Sequence, residues 1–367
     1  MLTHGTFFLP GPTEVRPEIL AELTRPMLPH RGTSFEALYE RCDAGLRTIF
    51  RTTRPVYIAS ASATGLMEGA IRCAPDGLVL ALVNGAFSER FAQVAGSCGR
   101  RVVRDDVALG QHHTPAQVAS LLASTGARVV TLTHSETSTG AMNDIEGIAR
   151  AVHAHNAVIL VDSVTGLAGA PLETDAWQLD FAFTGSQKAL ALPPGLALGL
   201  ASQPFIDAAA SNTDRGTYFD LVEFEKYAVK RQTPNTPAIS LFFALAAQVE
   251  AIAAEGVERR WARHRAMQAL TIDWVAALSA EIDPAFGVLA PESGRSPTVT
   301  CVTLPTMLSG SAIADAVSAR GYVIGAGYGA LRDRSIRIGH MGDHTEQGLT
   351  ACLAVVRSVL ETAMRTR

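Results

Sequence analysis

Cysteine is scarce in this chain and carries no pattern. The five residues Cys42, Cys73, Cys98, Cys301 and Cys352 include no CxxC pair and no zinc-ligand interval, and their number is odd. A disulfide framework and a structural zinc are therefore excluded as organising devices. The cysteines read as small buried hydrophobes in a reducing compartment, and no metal site is expected. Charge is equally thin at 18% of residues, with 31 basic against 35 acidic side chains and a net charge of −4. The basic residues are scattered rather than striped, so neither nucleic acid nor an anionic membrane is an expected partner. Nowhere do about 18 apolar residues run together. The richest stretch, residues 189–201, is split by Pro193-Pro194 and by glycines. The opening MLTHGTFFLPGP lacks a basic segment followed by an apolar one, and prolines interrupt it, so no signal peptide is expected. Taken together, these absences predict a soluble, cytoplasmic protein.

What is present is a long chain of 367 residues, 47% of them hydrophobic. Single cores stop growing at about 250–300 residues, so two domains are expected. Short β-type runs at 56–60, 78–83, 129–134, 157–163 and 180–185 alternate with helical patterns at 65–73, 88–98, 114–124 and 144–155. That alternation predicts an α/β fold with a mainly parallel sheet. One long helix is expected over 238–270, bridging to a smaller α/β domain. Strands at 298–305, 322–326 and 335–340 and helices at 311–320 and 346–364 would build that domain. The predicted division is an N-terminal arm over 1–15, a large domain over 16–258 and a small C-terminal domain over 259–367.

Two patterns invite a misreading. Residues 325–330, GAGYGA, satisfy GxGxxG/A, but LRDRSIRIG follows as another strand where a dinucleotide site requires a helix, so a glycine-rich loop is expected. The pairs His112-His113 and His153/His155 sit in polar surroundings and read as solvated surface histidines rather than metal ligands. No GxxxxGK[ST], GxSxG or HExxH occurs.

The chemistry converges on two strand ends. AVILVDS places Asp162 at the carboxyl end of one strand, and DFAFTG leads directly into Ser186, Gln187 and Lys188. Open α/β sheets bind ligands at that edge. A lysine directly after a buried strand is costly unless paired, exposed or covalently used, which favours a Schiff-base lysine. Pyridoxal phosphate requires such a lysine together with an anion for its pyridinium nitrogen.

On these residues the chain resembles the class V pyridoxal-phosphate aminotransferases, the group of alanine–glyoxylate, serine–pyruvate and phosphoserine transaminases. The likeness is carried in order by LPGPTEV (9–15), HRGTSF (30–35), SASATG (60–65), NGAFSER (84–90) and HSETSTG (134–140). It continues through VDSVTG (161–166), GSQKALALPPGL (185–196), TPNTPAISL (233–241) and IRIGHMG (336–342). It spans nearly the whole chain. The implied fold is fold type I of the pyridoxal-phosphate-dependent transferases, aspartate-aminotransferase-like, and the implied cofactor is pyridoxal 5'-phosphate.

The resemblance also implies roles. Lys188 would form the Schiff base and shuttle a proton, and Asp162 would pair with the pyridinium nitrogen. Ser62, Ala63 and Thr64 would receive the phosphate at a helix N-terminus, although Ser62 and Thr64 equally suit plain helix caps. Relatives often have glycine where Ala63 stands, which leaves this loop less conformational freedom. Phe87 would stack on the pyridine face where relatives often place tryptophan, Thr137 would reach the phenolic oxygen, and Gln187 would lie beside the phosphate or ring edge. Thr233 and Thr236 match a segment that crosses to the neighbouring subunit, implying a homodimer with shared sites; some relatives carry tyrosine where Thr233 stands. Arg337 would clamp the substrate α-carboxylate. The pair His30-Arg31 admits either recognition of a distal anion or a structural role.

The expected activity is ping-pong transfer of an amino group from alanine or serine to glyoxylate or pyruvate. Aspartate or phosphoserine transamination is the alternative. A desulfurase is disfavoured because Gln187 precedes Lys188 and Cys301 lies in a strand-like run.

Overall fold

Apolar runs such as VLALV, VILV and FAF suit strands covered on both faces, because alternation is needed only where one face meets water. In the computed structural model, which describes residues 4–365, these runs form the middle of a seven-stranded sheet. Its order is Tyr57–Ala59, Ala197–Ala201, Phe181–Gly185, Val158–Asp162, Val129–Thr133, Val79–Val83 and Val102–Asp106. The last five strands run parallel. Ala197–Ala201 runs antiparallel to both of its neighbours, so the sheet is mainly, not wholly, parallel. Apart from the helix expected over 238–270, the expected strands and helices appear within a few residues of their predicted bounds. Helix Thr33–Phe50, which packs along helix Ile239–Glu255, was not anticipated.

A second sheet of five strands lies in the order Phe7–Phe8, Val323–Ala326, Ser335–Gly339, Val299–Thr303 and Gly287–Val288. Helices Gly310–Ser318 and Glu346–Arg365 pack with it, around an apolar cluster that includes Met267, Val302, Ile336, Ile338 and Leu353. A larger cluster surrounds the seven-stranded sheet. The first strand of the second sheet comes from the N-terminal arm: Phe7 and Phe8 pair in parallel with Val323 and Ile324. The arm then passes beside Lys188, with the amide of Thr13 donating to the Gln187 carbonyl at 2.9 Å. Residues 1–3 of the predicted arm and residues 366 and 367 of the predicted small domain lie outside the described residues.

The single helix expected over 238–270 is two helices, Ile239–Glu255 and Val257–Glu281, meeting at 82°. Gly256 supplies the break. Its φ of +86° is a left-handed value that other residues adopt only under strain, and its amide closes the first helix onto Ile252. Arg260, fully buried one turn into the second helix, bridges Glu255 at 2.7 Å, Asp343 at 2.9 Å and the Ala189 carbonyl at 2.7 Å. Among the described residues no single helix is long and apolar enough to cross a membrane.

GAGYGA ends one strand, makes a single turn at Gly329–Leu331 and enters the strand Ser335–Gly339, so no helix follows it. His113 departs from expectation. It is fully buried, and its Nε2 lies 3.1 Å from both the backbone oxygen and a carboxylate oxygen of Asp105. Its backbone amide is also taken by Asn143, which draws the residue inward. His153 is half-buried on Asp180 at 3.0 Å.

Candidate active site

Parallel strands Val129–Thr133, Val158–Asp162 and Phe181–Gly185 end at one edge of the sheet, and there they frame a cavity of about 210 Å³. Asp162 is the last residue of its strand, and Lys188 follows the next strand after the two residues Ser186 and Gln187. Both side chains line this cavity, together with Ser62, Ala63, Thr64, Phe87, Thr137 and Gln187. Eight residues singled out from the sequence are thus brought together from segments far apart in the chain.

Lys188 is 6% exposed, and its Nζ donates to the Pro10 carbonyl and lies 5.7 Å from the centre of the Phe87 ring. Burial, with Arg337 assisting and Asp162 and Glu136 opposing, pulls the amine down from 10.5 to about 8. Asp162 is 3% exposed and accepts a bond from the Val164 amide at 2.9 Å. Burial, helped by Glu136, lifts its carboxyl to about 7 against the Val164 bond, Lys188 and Arg90. A carboxylate left this poorly solvated is stabilised by a cationic N–H placed in the cavity. The Thr133 hydroxyl also lines the cavity and is buried without a hydrogen-bond partner among the described residues.

Two helices open onto this space, and they differ at their first turns. In helix Ala86–Ser97 the amides of Ala86, Phe87 and Ser88 are occupied: Ala86 donates to Ser138 Oγ at 3.0 Å, and the other two donate to Glu136 Oε2 at 3.1 and 3.0 Å. Helix Ala63–Cys73, entered from Ser62, has no side-chain cap. The Gly65 amide donates to the Ser62 carbonyl at 2.9 Å, while the amides of Ala63 and Thr64, without partners among the described residues, remain available to an anion. The approach is close: a Cβ on Gly65 would come within 2.2 Å of the Phe219 ring.

These features fit pyridoxal phosphate. A buried amine, a buried carboxylate calling for a cationic partner, an aromatic ring and an uncapped helix N-terminus match its aldehyde, pyridinium nitrogen, ring face and phosphate respectively.

Arg337 stands on the strand Ser335–Gly339 of the other sheet, half-buried. Its Nε donates to the Ala326 carbonyl at 2.9 Å and its Nη1 to the Thr137 carbonyl at 3.2 Å, while the guanidinium lies 5.5 Å from the Tyr328 ring centre. Arg332 and Arg334 are exposed. The Thr137 hydroxyl is paired with that of Thr165 at 2.5 Å.

Thr233, Thr236, His30 and Arg31 do not line the Lys188 cavity of their own chain. Thr233 and Thr236 border a separate depression beside Ser60 and Tyr218; the Thr233 hydroxyl is tied to the Asn235 carbonyl and Thr236 is exposed. Arg31 donates to the carbonyls of Thr233 at 2.7 Å and Pro234 at 3.0 Å and lies over the Tyr227 ring, which pins this segment.

Sequence reasoning missed Glu136, Thr165 and Thr133. The first two lie inside quoted motifs, HSETSTG and VDSVTG, but nothing in their spacing distinguished them from the surrounding polar residues.

The family model described as Aminotransferase class-V matches residues 30–330. The chain belongs to the class-V aminotransferases. An uncharacterized aminotransferase of Methanocaldococcus jannaschii is 34% identical over 96% of this chain and 92% of its own. An L-aspartate–glyoxylate aminotransferase of Paracoccus denitrificans is 29% identical over 98% of this chain and 92% of its own. Among solved structures, an alanine–glyoxylate aminotransferase from Nostoc superposes with a TM-score of 0.90 at 28% identity, covering 97% of this chain and 95% of that one. This class-V aminotransferase accordingly has the fold-type-I architecture of its structural neighbours.

Proposed function

We propose that this class-V aminotransferase uses pyridoxal phosphate to move the amino group of alanine or serine to glyoxylate or pyruvate by a ping-pong reaction. One observation carries the reading: Lys188, Asp162 and the uncapped turn at 62–64 line a single buried cavity.

When bound, the cofactor supplies an electron sink for the electron pair released from the substrate α-carbon. Lys188 would hold it through Nζ. With its amine pulled down to about 8, Lys188 is also suited to take a proton from the α-carbon near neutral pH and return it. Asp162 would hold the protonated ring nitrogen, and that contact would relieve the cost of burying its carboxylate. Ser62, Ala63 and Thr64 would bind the phosphate, with Gln187 beside it. Phe87 would cover one ring face and exclude water, and Thr137 would lie near the ring edge. Arg337 would receive the substrate carboxylate on its remaining N–H groups.

Small donors are favoured by the likeness to the Nostoc alanine–glyoxylate enzyme. A distal-anion donor is kept as the second reading by the aspartate-named Paracoccus relative. Arg31 counts against that reading within one chain, because its guanidinium is committed to backbone carbonyls. A homodimer belongs to the proposal, since Thr236 is exposed away from its own chain's cavity and would serve a neighbour's. A cytoplasmic setting agrees with five free cysteines, four of them buried.

The test is an absorbance spectrum of the protein with pyridoxal phosphate, followed by separate titrations with alanine, serine, aspartate and phosphoserine. A Schiff-base band that is absent in Lys188→Ala and bleached by alanine or serine is the expected result. Bleaching by aspartate or phosphoserine alone overturns the donor assignment, and turnover retained in Lys188→Ala overturns the role of the lysine.

A further inference from the structure

Glu136 is a fully buried carboxylate that forms no ion pair among the described residues. An unpaired buried carboxylate is costly, and only a full set of hydrogen-bond donors offsets that cost. The set is present. Oε2 accepts from the amides of Phe87 and Ser88 at 3.1 and 3.0 Å and lies 3.1 Å from Ser88 Oγ. Oε1 accepts from the Ser138 amide at 3.1 Å and its hydroxyl at 2.6 Å, and shares the Phe87 amide at 3.3 Å. These donors come from two different elements, the first turn of helix Ala86–Ser97 and the turn that follows Ser135–Glu136.

The two elements are pressed together here. A Cβ on Gly85 would fall 2.5 Å from Glu136 Cγ and 2.5 Å from Ser138 Oγ, so only glycine permits the approach. What this junction holds is the face of the cavity. Phe87, whose amide donates to Glu136, carries the ring that lies 5.7 Å from the Lys188 amine. Thr137, the residue after Glu136, lines the same cavity, and its carbonyl receives Arg337.

We propose that Glu136 is a positioning residue: by clamping the amides of Phe87 and Ser88 to the turn that carries Thr137, it fixes the Phe87 ring relative to Lys188 and Arg337. The inference rests on the pyridoxal-phosphate reading above. Glu136 does not itself line the cavity and holds it through hydrogen bonds to its neighbours; its charge also acts on Lys188 and Asp162, and Ser138→Ala keeps that charge while loosening the clamp. The two Glu136 oxygens serve two elements at once, and a carboxamide has one acceptor oxygen and an NH₂ that would face donors. Glu136→Gln therefore keeps the side chain's volume and breaks one half of the clamp.

The experiment compares wild type, Glu136→Gln and Ser138→Ala after reconstitution with pyridoxal phosphate. Four quantities are read: the Schiff-base absorbance, the visible circular dichroism per bound cofactor, the thermal midpoint, and kcat and KM with the donor that bleaches the wild-type band. The absorbance band persists in both variants, because Lys188 is intact. In Glu136→Gln the visible circular dichroism falls and kcat drops about tenfold, the effect of one charge-assisted hydrogen bond, while KM changes far less because Arg337 is retained. Ser138→Ala, which removes the shortest of the carboxylate's contacts, moves the same readouts in the same direction by less. A lower thermal midpoint with dichroism and kcat at wild-type values makes Glu136 a folding cap only and overturns the proposal. If Glu136→Gln does not fold, unchanged dichroism in Ser138→Ala overturns it and a reduced value supports it. A wild-type protein that forms no band overturns the cofactor reading itself, which separates that failure from this one.

Discussion

Nη1 of Arg337 donates to the backbone carbonyl of Thr137 across 3.2 Å, joining residues 200 positions apart and tying the five-stranded sheet to the cavity at the edge of the seven-stranded one. Nε is used as well, by Ala326 at 2.9 Å, so the guanidinium is held at two points before any substrate arrives. A fork fixed in this way presents its remaining N–H groups at a set angle, which lysine cannot reproduce. Arg337→Lys is expected to raise KM for every amino donor and oxo acceptor together by about 30- to 100-fold, corresponding to about 2–3 kcal/mol from lost charge-assisted hydrogen bonds. Steady-state kinetics with two donors and two acceptors checks it. An effect confined to one donor would make Arg337 a reader of side chains instead.

Asp162 sets a pH dependence whose sign can be worked out. Its carboxyl, ordinarily near 3.8, is raised to about 7 in the folded protein. Between those values the folded state binds the proton more tightly than the unfolded one, so stability falls as pH rises from about 4 to 7 and the penalty is complete above 7. That penalty amounts to at most about 4 kcal/mol. In cofactor-free protein, Asp162→Asn should therefore be more stable than wild type at pH 8, with the difference closing toward pH 4, while transamination is lost. Urea midpoints across this range test the prediction, and a difference that widens toward acid would contradict it.

Gly65 is required by a close approach rather than by its dihedral angle. A Cβ there would meet the Phe219 ring at 2.2 Å, in the first turn of the helix proposed to receive the phosphate. Gly65→Ala should cost roughly 1–3 kcal/mol through overpacking. It should also weaken cofactor retention on dialysis, because the ring or the turn must move. The double variant Gly65→Ala/Phe219→Ala should recover retention if the clash is the cause.

Much of the architecture was legible from periodicity alone, and residue by residue the reasons differ. VILV and FAF are apolar at successive positions because both faces are covered, and that pattern identified their strands and the polar residues at their ends. Ala197–Ala201 was harder: its composition suits a buried strand, but its antiparallel direction follows from the path of the chain around 186–196 and not from residue type. The helix over 238–270 was misread because the residues on both sides of Gly256 are helical, and one glycine with positive φ turned the chain by 82°. His113 looked solvated beside His112 and Thr114, yet Asp105 and the more distant Asn143 hold it inside.

For the site, local chemistry sufficed to single out Lys188 and Asp162, since a charged residue at the end of a buried strand must be paired, exposed or used. It could not disclose Glu136, which resembles any acidic residue in a polar turn until the amides of Phe87 and Ser88 are seen to converge on it. The sequence by itself thus determined most of the strands and helices, and which residue types could bear the chemistry, because both depend on patterns within a few neighbouring positions. Only the tertiary structure decided that Phe87, Asp162 and Lys188 would line one cavity with Pro10, Glu136 and Arg337 bonded to residues at its edge, and that Arg31 would serve the backbone instead. Such contacts depend on how elements pack, and a distance across two sheets leaves no periodicity in the chain.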